Sequence, residues 1–257
     1  MKPIANSSPS LDIEAILDTG ADALLLDLDG TLTVGDGSVC GAKFLLDRFS
    51  GRYAVITNNS SDLPETISRR LYRYGLAVPP SLIFTAGMAM IEHLAENDAS
   101  SLVFLSPELR AHALARGVTF VEDEAEIVAI GRDTSFDYSA LTRAANSVRR
   151  GAKLVASNLD DRHPGAAGSV VPETGALVAA VLAAAGPQSV TVIGKPTPHL
   201  AEHALRVLGY SAARSVVVGD NLATDGALAD AIGAAFVPVT TCARVAVKSV
   251  FRKEHAR

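Results

Sequence analysis

Tryptophan is absent from the 257 residues, aromatic side chains make up 5% of them, and there are only two cysteines, Cys40 and Cys242. Far apart and without a C-x-x-C partner, the cysteines allow at most one disulfide, and in a reducing compartment two free thiols are expected. A surplus of basic charge is also missing. With a formal net charge of -5 the chain has no cationic stripe to follow a phosphate backbone, which excludes a nucleic acid polymer as partner. No apolar run is long enough to cross a bilayer: the longest, ALVAAVLAAA at 176–185, lies between Gly175 and Gly186 and reads as a buried helix. The N-terminal stretch lacks the apolar core and small-residue cleavage site of a secretory signal, so the expected location is cytoplasmic, with no membrane partner. Repeats and low-complexity tracts are absent. The first ten residues and the basic tail KSVFRKEHAR are expected to be loose, the tail as a solvated helix end.

Hydrophobic residues are abundant, at 48%, enough to build one large core or two smaller ones. Short runs of branched apolar residues predict strands at 22–28, 53–57, 101–105, 126–131, 152–157, 190–194, 215–219 and 234–239. Helix-like segments at 62–74, 86–96, 138–149, 173–185, 198–208 and 222–232 alternate with them. Strands apolar on both faces, interleaved with helices, predict an α/β fold with a doubly wound parallel sheet.

Four of these strands end in polar signals. LLLDLDGT ends in two acids, AVITNNS in a threonine and two asparagines, TVIGKPTP in a lysine, and SVVVGDNLATD in two further acids. Ligands of open α/β sheets bind beyond the carboxyl ends of the strands, so neighbouring strands would bring these tips together. Asp27, Asp29 and Asp220 could share a small volume only with a cation between them, and oxygen ligands select a hard divalent ion, Mg²⁺. The expected ligands are the side chains of Asp27 and Asp220 and the main-chain carbonyl of Asp29. Asp27 is then a nucleophile toward phosphorus, and Asp29 an acid for the leaving oxygen and a base for water. Thr57, Asn58, Asn59 and Lys195 are candidates for binding the phosphate, with Asp225 orienting metal-bound water or Lys195 from behind. Taken singly, each residue has a plainer account: Asp27 and Asp29 as a strand-end turn, the Thr57 to Ser60 cluster and Asp220 as helix caps, Lys195 as an exposed turn residue.

The motifs DLDGT, TNNS, GKPTP and GDNLATD, in this order, resemble those of the haloacid-dehalogenase-like (HAD) phosphatases, and more narrowly the NagD-like, 4-nitrophenylphosphatase-like branch. The resemblance extends over nearly the whole chain. It implies a Rossmann-like core (1–81 and 187–257) with an inserted α/β cap domain at 82–186. The stretch SNLDDRHPG resembles the branch's cap loop near the substrate, making Asn158, Asp160, Arg162 and His163 candidates for substrate selectivity. Three departures stand out: VCGA, which leaves Cys40 near a flap over the site; Gly226, where a branched residue is usual; and the end of the chain shortly after the last predicted strand. The last predicts an exposed sheet edge that a homodimer partner would cover.

The function these readings imply is Mg²⁺-dependent hydrolysis of a small phosphorylated metabolite through an aspartyl-phosphate. A phosphotransferase or mutase on the same fold, and a phosphometabolite sensor without turnover, are the alternatives.

Overall fold

The computed structural model describes residues 7–165 and 168–243. Two parallel sheets organise them. The first has five strands in the spatial order Ala235–Pro238, Ser215–Gly219, Ala23–Leu26, Tyr53–Thr57, Ile83–Thr85. The second has four, in the order Val190–Val192, Lys153–Ala156, Ile127–Ile130, Ser101–Phe104.

The central strands are apolar on both faces because both faces are covered. Leu24, Leu26, Val55, Val216 and Val218 point into one core with Ile16, Leu45 and Ile67. Their alternates Leu25, Ala54, Ile56 and Val217 meet Ala201, Ala204, Leu205 and Leu228 on the other side. The second sheet repeats the arrangement, with Val103, Ala129 and Val155 on one face and Leu102, Phe104, Val128, Ile130 and Leu154 on the other. Period-two burial into two separate cores fixes the register, since a slip of one residue would exchange every side chain between them.

Two strands near the expected domain boundaries pair with the sheet on the other side of them. Ile83–Thr85, placed beyond the 82 boundary, pairs with Val55–Thr57 in the first sheet. Val190–Val192, placed back in the core after 186, pairs with Leu154–Ala156 in the second. The chain therefore crosses between the sheets after Thr85 and returns after Val192. Of the ten N-terminal residues expected to be loose, Ser7–Ser10 form a strand antiparallel to Thr240–Ala243. Residues 1–6 and the tail KSVFRKEHAR lie outside the described residues. The helix expected at 222–232 is divided into a wide turn at Leu222–Gly226 and an α-helix at Ala227–Ile232. No helix among the described residues is long and apolar enough to span a membrane. Cys40 is an exposed free thiol just after the Thr33–Val34/Gly37–Ser38 hairpin, while the side chain of Cys242 lies outside the described set.

The strand order of the first sheet reverses next to Ala23–Leu26. From there the chain builds outward through Tyr53–Thr57 and Ile83–Thr85, then returns to add Ser215–Gly219 on the opposite side. The crevice at such a reversal, at the carboxyl ends of the strands, is where this architecture places a ligand. Asp27 and Asp220 are the residues immediately following the two strands that flank it.

Candidate active site

The Asp27 N–H donates to Val218 O at 2.9 Å, carrying the strand pairing one residue past Leu26 and fixing the Asp27 side chain at the lip of the crevice. The following loop turns sharply. Leu32 N–H and Thr33 N–H both donate to Leu28 O, at 2.9 and 3.0 Å, and Gly30 N–H donates to Thr33 O at 2.7 Å. This turn sets Gly30 at φ +89°, with the place of a Cβ already filled by the Asp220 carboxylate. Glycine is required here twice over, for the left-handed backbone and for the approach of Asp220.

Lys195 is buried beneath the carboxylates, 3% exposed. Its Nζ donates to Asp27 Oδ1 at 2.6 Å and to Asp225 Oδ1 at 2.7 Å. Burial alone would lower the lysine pKa, but the two carboxylates outweigh it and raise it, so the ammonium form is held. The acids are raised as well, which for them favours the neutral form. Asp220 is pushed up to about 6 by partial burial and then by Asp27 and Asp225. Asp29 is raised by crowding from the surrounding chain and by the charge of Asp27, although it opens to solvent. Asp225 is raised by burial, against the pull of Lys195.

One carboxylate oxygen each from Asp27, Asp220 and Asp225 lie within 4.8 Å of one another. Asp27 Oδ2 is buried with no hydrogen-bond partner among the described residues. Three clustered acids, one of them with a buried and unpaired carboxylate oxygen, make the environment a hard divalent cation completes, and the donor set fits one. Both oxygens of Asp225 are already engaged, Oδ1 with Lys195 and Oδ2 accepting from Asn221 N–H at 3.2 Å, so Asp225 braces Lys195 and the loop. Thr31 Oγ1 is a second buried polar atom without a partner in this region.

Gly30→Ala tests the close packing. The displaced Asp220 side chain is exposed and can swing away, so the fold should survive with Tm lowered by a few degrees, the positive φ costing about 1 kcal/mol. Divalent-cation affinity should fall at least about tenfold, read by titration calorimetry; unchanged affinity would mean that Asp220 does not hold the cation.

The side chains of the TNNS segment make hydrogen bonds within the protein. Thr57 is buried, and its Oγ1 accepts from Asn59 N–H at 3.1 Å. The Asn59 side chain faces the next turn, where Oδ1 accepts from Ser61 N–H and Asp62 N–H at 3.0 and 2.9 Å and Nδ2 donates to Asp62 Oδ2. Asn58 Oδ1 accepts from Lys195 N–H at 2.8 Å, and its Nδ2 donates to Lys195 O and to Asp160 Oδ2, both at 3.1 Å. Both asparagine side chains are thus engaged by the protein, which leaves the main-chain N–H of Asn58 and the Thr57 hydroxyl as the segment's candidates for phosphate.

The four selectivity candidates divide likewise. Asn158 is buried and donates to Asn58 O at 2.7 Å, and Asp160 accepts from Asn58. Arg162 is exposed on the short strand Arg162–Pro164, and His163 Nδ1 lies 2.6 Å from Glu173 Oε1. Glu173 and Arg132, 3.2 Å apart, were not among the sequence candidates. Arg132 N–H donates to Ser60 Oγ, which also meets Thr174 Oγ1, so this group joins the second sheet to the TNNS turn. The only signal was an arginine directly after the apolar strand end IVAIG.

A profile of the family described as haloacid dehalogenase-like hydrolase matches residues 24–119, and one described as HAD-hydrolase-like matches residues 192–246. The chain is 32% identical over 206 residues to the 5'-nucleotidase YutF of Bacillus subtilis, spanning 78% of this chain and 80% of that protein. The structure resembles a glycerol phosphate phosphatase of Mycobacterium tuberculosis in complex with magnesium, with TM-score 0.77 and 30% identity over 90% of this chain and 69% of that one. It resembles NagD of E. coli equally well, with TM-score 0.77 and 26% identity over 84% and 86% of the two chains. With these matches spanning the strand tips that form the crevice, the chain belongs to the haloacid-dehalogenase-like hydrolases, in their NagD-like branch, and is a hydrolase of phosphate monoesters.

Proposed function

We propose that the protein is a Mg²⁺-dependent phosphatase that removes the phosphate from a small phosphorylated metabolite through an aspartyl-phosphate on Asp27. The observation that carries this reading is the asymmetry of the Asp27 carboxylate: Oδ1 is tied to Lys195, while Oδ2 is buried and unpartnered at the lip of the crevice. Asp27 then supplies the nucleophilic oxygen, and the fixed Lys195 charge orients the carboxylate. As the Asp27 oxygen bonds to phosphorus, the ester P–O bond breaks and Asp29 gives its proton to the departing oxygen. Desolvation and then the charge of Asp27 raise the Asp29 pKa, the direction a proton donor needs. Asp29 then takes a proton from the water that attacks the phosphorylated Asp27, releasing inorganic phosphate and restoring both carboxyl groups. Held by Asp27 and Asp220, the cation would supply positive charge against the anionic phosphoryl oxygens. The relatives act, by their names, on nucleotides and glycerol phosphate, and the proposed substrate is a monophosphate of this size, a nucleotide, sugar phosphate, pyridoxal phosphate or phosphoglycolate, met in the cytoplasm.

A panel of such monophosphates, assayed for released phosphate with Mg²⁺ and with chelator, tests the activity. Crystals soaked with beryllofluoride should show an adduct on the Asp27 carboxylate; an occupied cation site without that adduct would remove the covalent step.

The Asp220 pKa predicts how the cation and pH are linked. Raised from 3.8 to about 6 in the folded state, it makes the metal-free fold bind more protons than the unfolded chain in that window. This group's contribution to stability therefore falls as pH rises from about 4 to about 6, and a cation that replaces the proton reverses the loss. Added Mg²⁺ should raise Tm more at pH 7.5 than at pH 5, with affinity weakening about tenfold per unit below pH 6. Equal shifts at both pH values would show that Asp220 is not displaced from its proton by the ion.

A further inference from the structure

We propose that Asn158 is a positioning residue for Lys195, acting through Asn58, and that the 157–160 loop of the second sheet holds the lysine on the nucleophile instead of reading the substrate. The inference rests on the phosphatase reading above.

A lysine reaches its target through four flexible carbons, so the place of its ammonium depends on an anchored main chain as well as on its charge partners. The Lys195 backbone is anchored by a single side chain. Asn58 Oδ1 accepts from Lys195 N–H at 2.8 Å and Asn58 Nδ2 donates to Lys195 O at 3.1 Å, so one amide grips both polar groups of that residue. The preceding residue is gripped from the other sheet, with Gly194 N–H donating to Ser157 O at 2.8 Å. A Cβ on Gly194 would collide with both Asn58 Oδ1 and Ser157 O, so the three segments are in closest contact there.

The Asn58 amide has its orientation set by Asp160 Oδ2, which takes its second donor bond, and its main chain by Asn158 Nδ2, which donates to Asn58 O at 2.7 Å. Asn158 is 1% exposed. Its Oδ1 accepts from Asp160 N–H at 3.0 Å, which closes the ring of contacts. A side chain so buried, with donor and acceptor both satisfied by protein, has no surface left for a substrate. What it controls is the height of the Asn58 peptide relative to Lys195, and through that the seat of Nζ between Asp27 and Asp225. Of the four selectivity candidates, the exposed Arg162 and the half-exposed His163, whose Nδ1 pairs with Glu173, keep surface for that role.

A mutant cycle in kcat separates this from a general structural effect. Asn158→Ala should lower kcat about tenfold with KM within about twofold, since the binding groups stay in place while the reacting pair loses its alignment. In the Asn58→Ala background, where the link to Lys195 is already cut, the same substitution should cost nothing further. Additive losses would overturn the proposal. Asn158→Asp supplies a second readout independent of any loss of folding in the alanine variant. A protonated carboxyl at this position can donate to Asn58 O and an ionised one cannot, so its kcat deficit should shrink from pH 8 to pH 5.5 relative to the parent enzyme. A pH-independent deficit in this variant would count against the proposal. If the parent protein releases phosphate and Asn158→Ala matches its kcat, the proposal fails while the phosphatase reading stands. If the parent releases none from any ester in the panel, the phosphatase reading itself fails.

Discussion

Asp27→Asn should reduce turnover by at least about 10³-fold, a loss of about 4 kcal/mol of transition-state stabilisation, and leave a folded protein. The substitution is almost isosteric. It keeps an oxygen that can accept from Lys195 Nζ, and Lys195 retains Asp225 at 2.7 Å, so the buried ammonium is not orphaned. It also removes one of the acids whose charge raises the pKa of Asp29 and Asp220. Those two effects oppose each other, and stability should change by no more than about 1 kcal/mol. The loss of activity then belongs to chemistry, because an amide oxygen is a poor nucleophile toward phosphorus. Circular dichroism and thermal melts establish the fold, and kcat with a saturating monophosphate gives the rate. A folded variant with the parent rate would mean that water, not Asp27, attacks the ester.

Much of this site was legible in the sequence because it lies where apolar strands stop. LLLDLDG and SVVVGDN each spend their hydrophobic residues inside the sheet and place the first acid at its edge, and the two strands prove to be neighbours. The lysine was legible for a related reason, since GKPTP follows a strand. The side-chain partners were not. Asn58 and Asn59 look alike in TNNS, yet one holds Lys195 and the other caps a turn, a difference decided by residues 137 and three positions away. Ile83–Thr85 was passed over as a strand because three residues are too few to show period two, and it is held by its pairing with Val55–Thr57. Helix Pro107–Ala115 escaped because PELRAHALA has only two buried positions, Leu109 and Ala113. The strand Ser7–Ser10 escaped because SSPS carries no apolar pattern at all, its partners lying 230 to 236 residues away.

Lys195→Met should damage stability and activity together, and pH should separate the two. Among the described residues, Lys195 pairs with both Asp27 and Asp225, which are 7% and 1% exposed. Removing one partner of a buried ionic group leaves the remaining charges uncompensated, at a cost of about 3–5 kcal/mol. For a chain of this length that is about 10 °C in Tm. The deficit must depend on protonation. Without the ammonium, Asp225, already raised by burial, loses the charge that opposes that rise and is more readily protonated, so the stability gap to the parent should be widest near pH 8 and narrow toward pH 5. Lys195→Met combined with Asp225→Asn removes one of the stranded charges and should recover much of the Tm at pH 8. It should not recover the rate, which falls about 10²-fold or more when a fixed charge at a developing anion is lost. A Tm deficit that stays constant from pH 5 to pH 8 would show that Lys195 stabilises the site by packing its stem and not by neutralising Asp27 and Asp225.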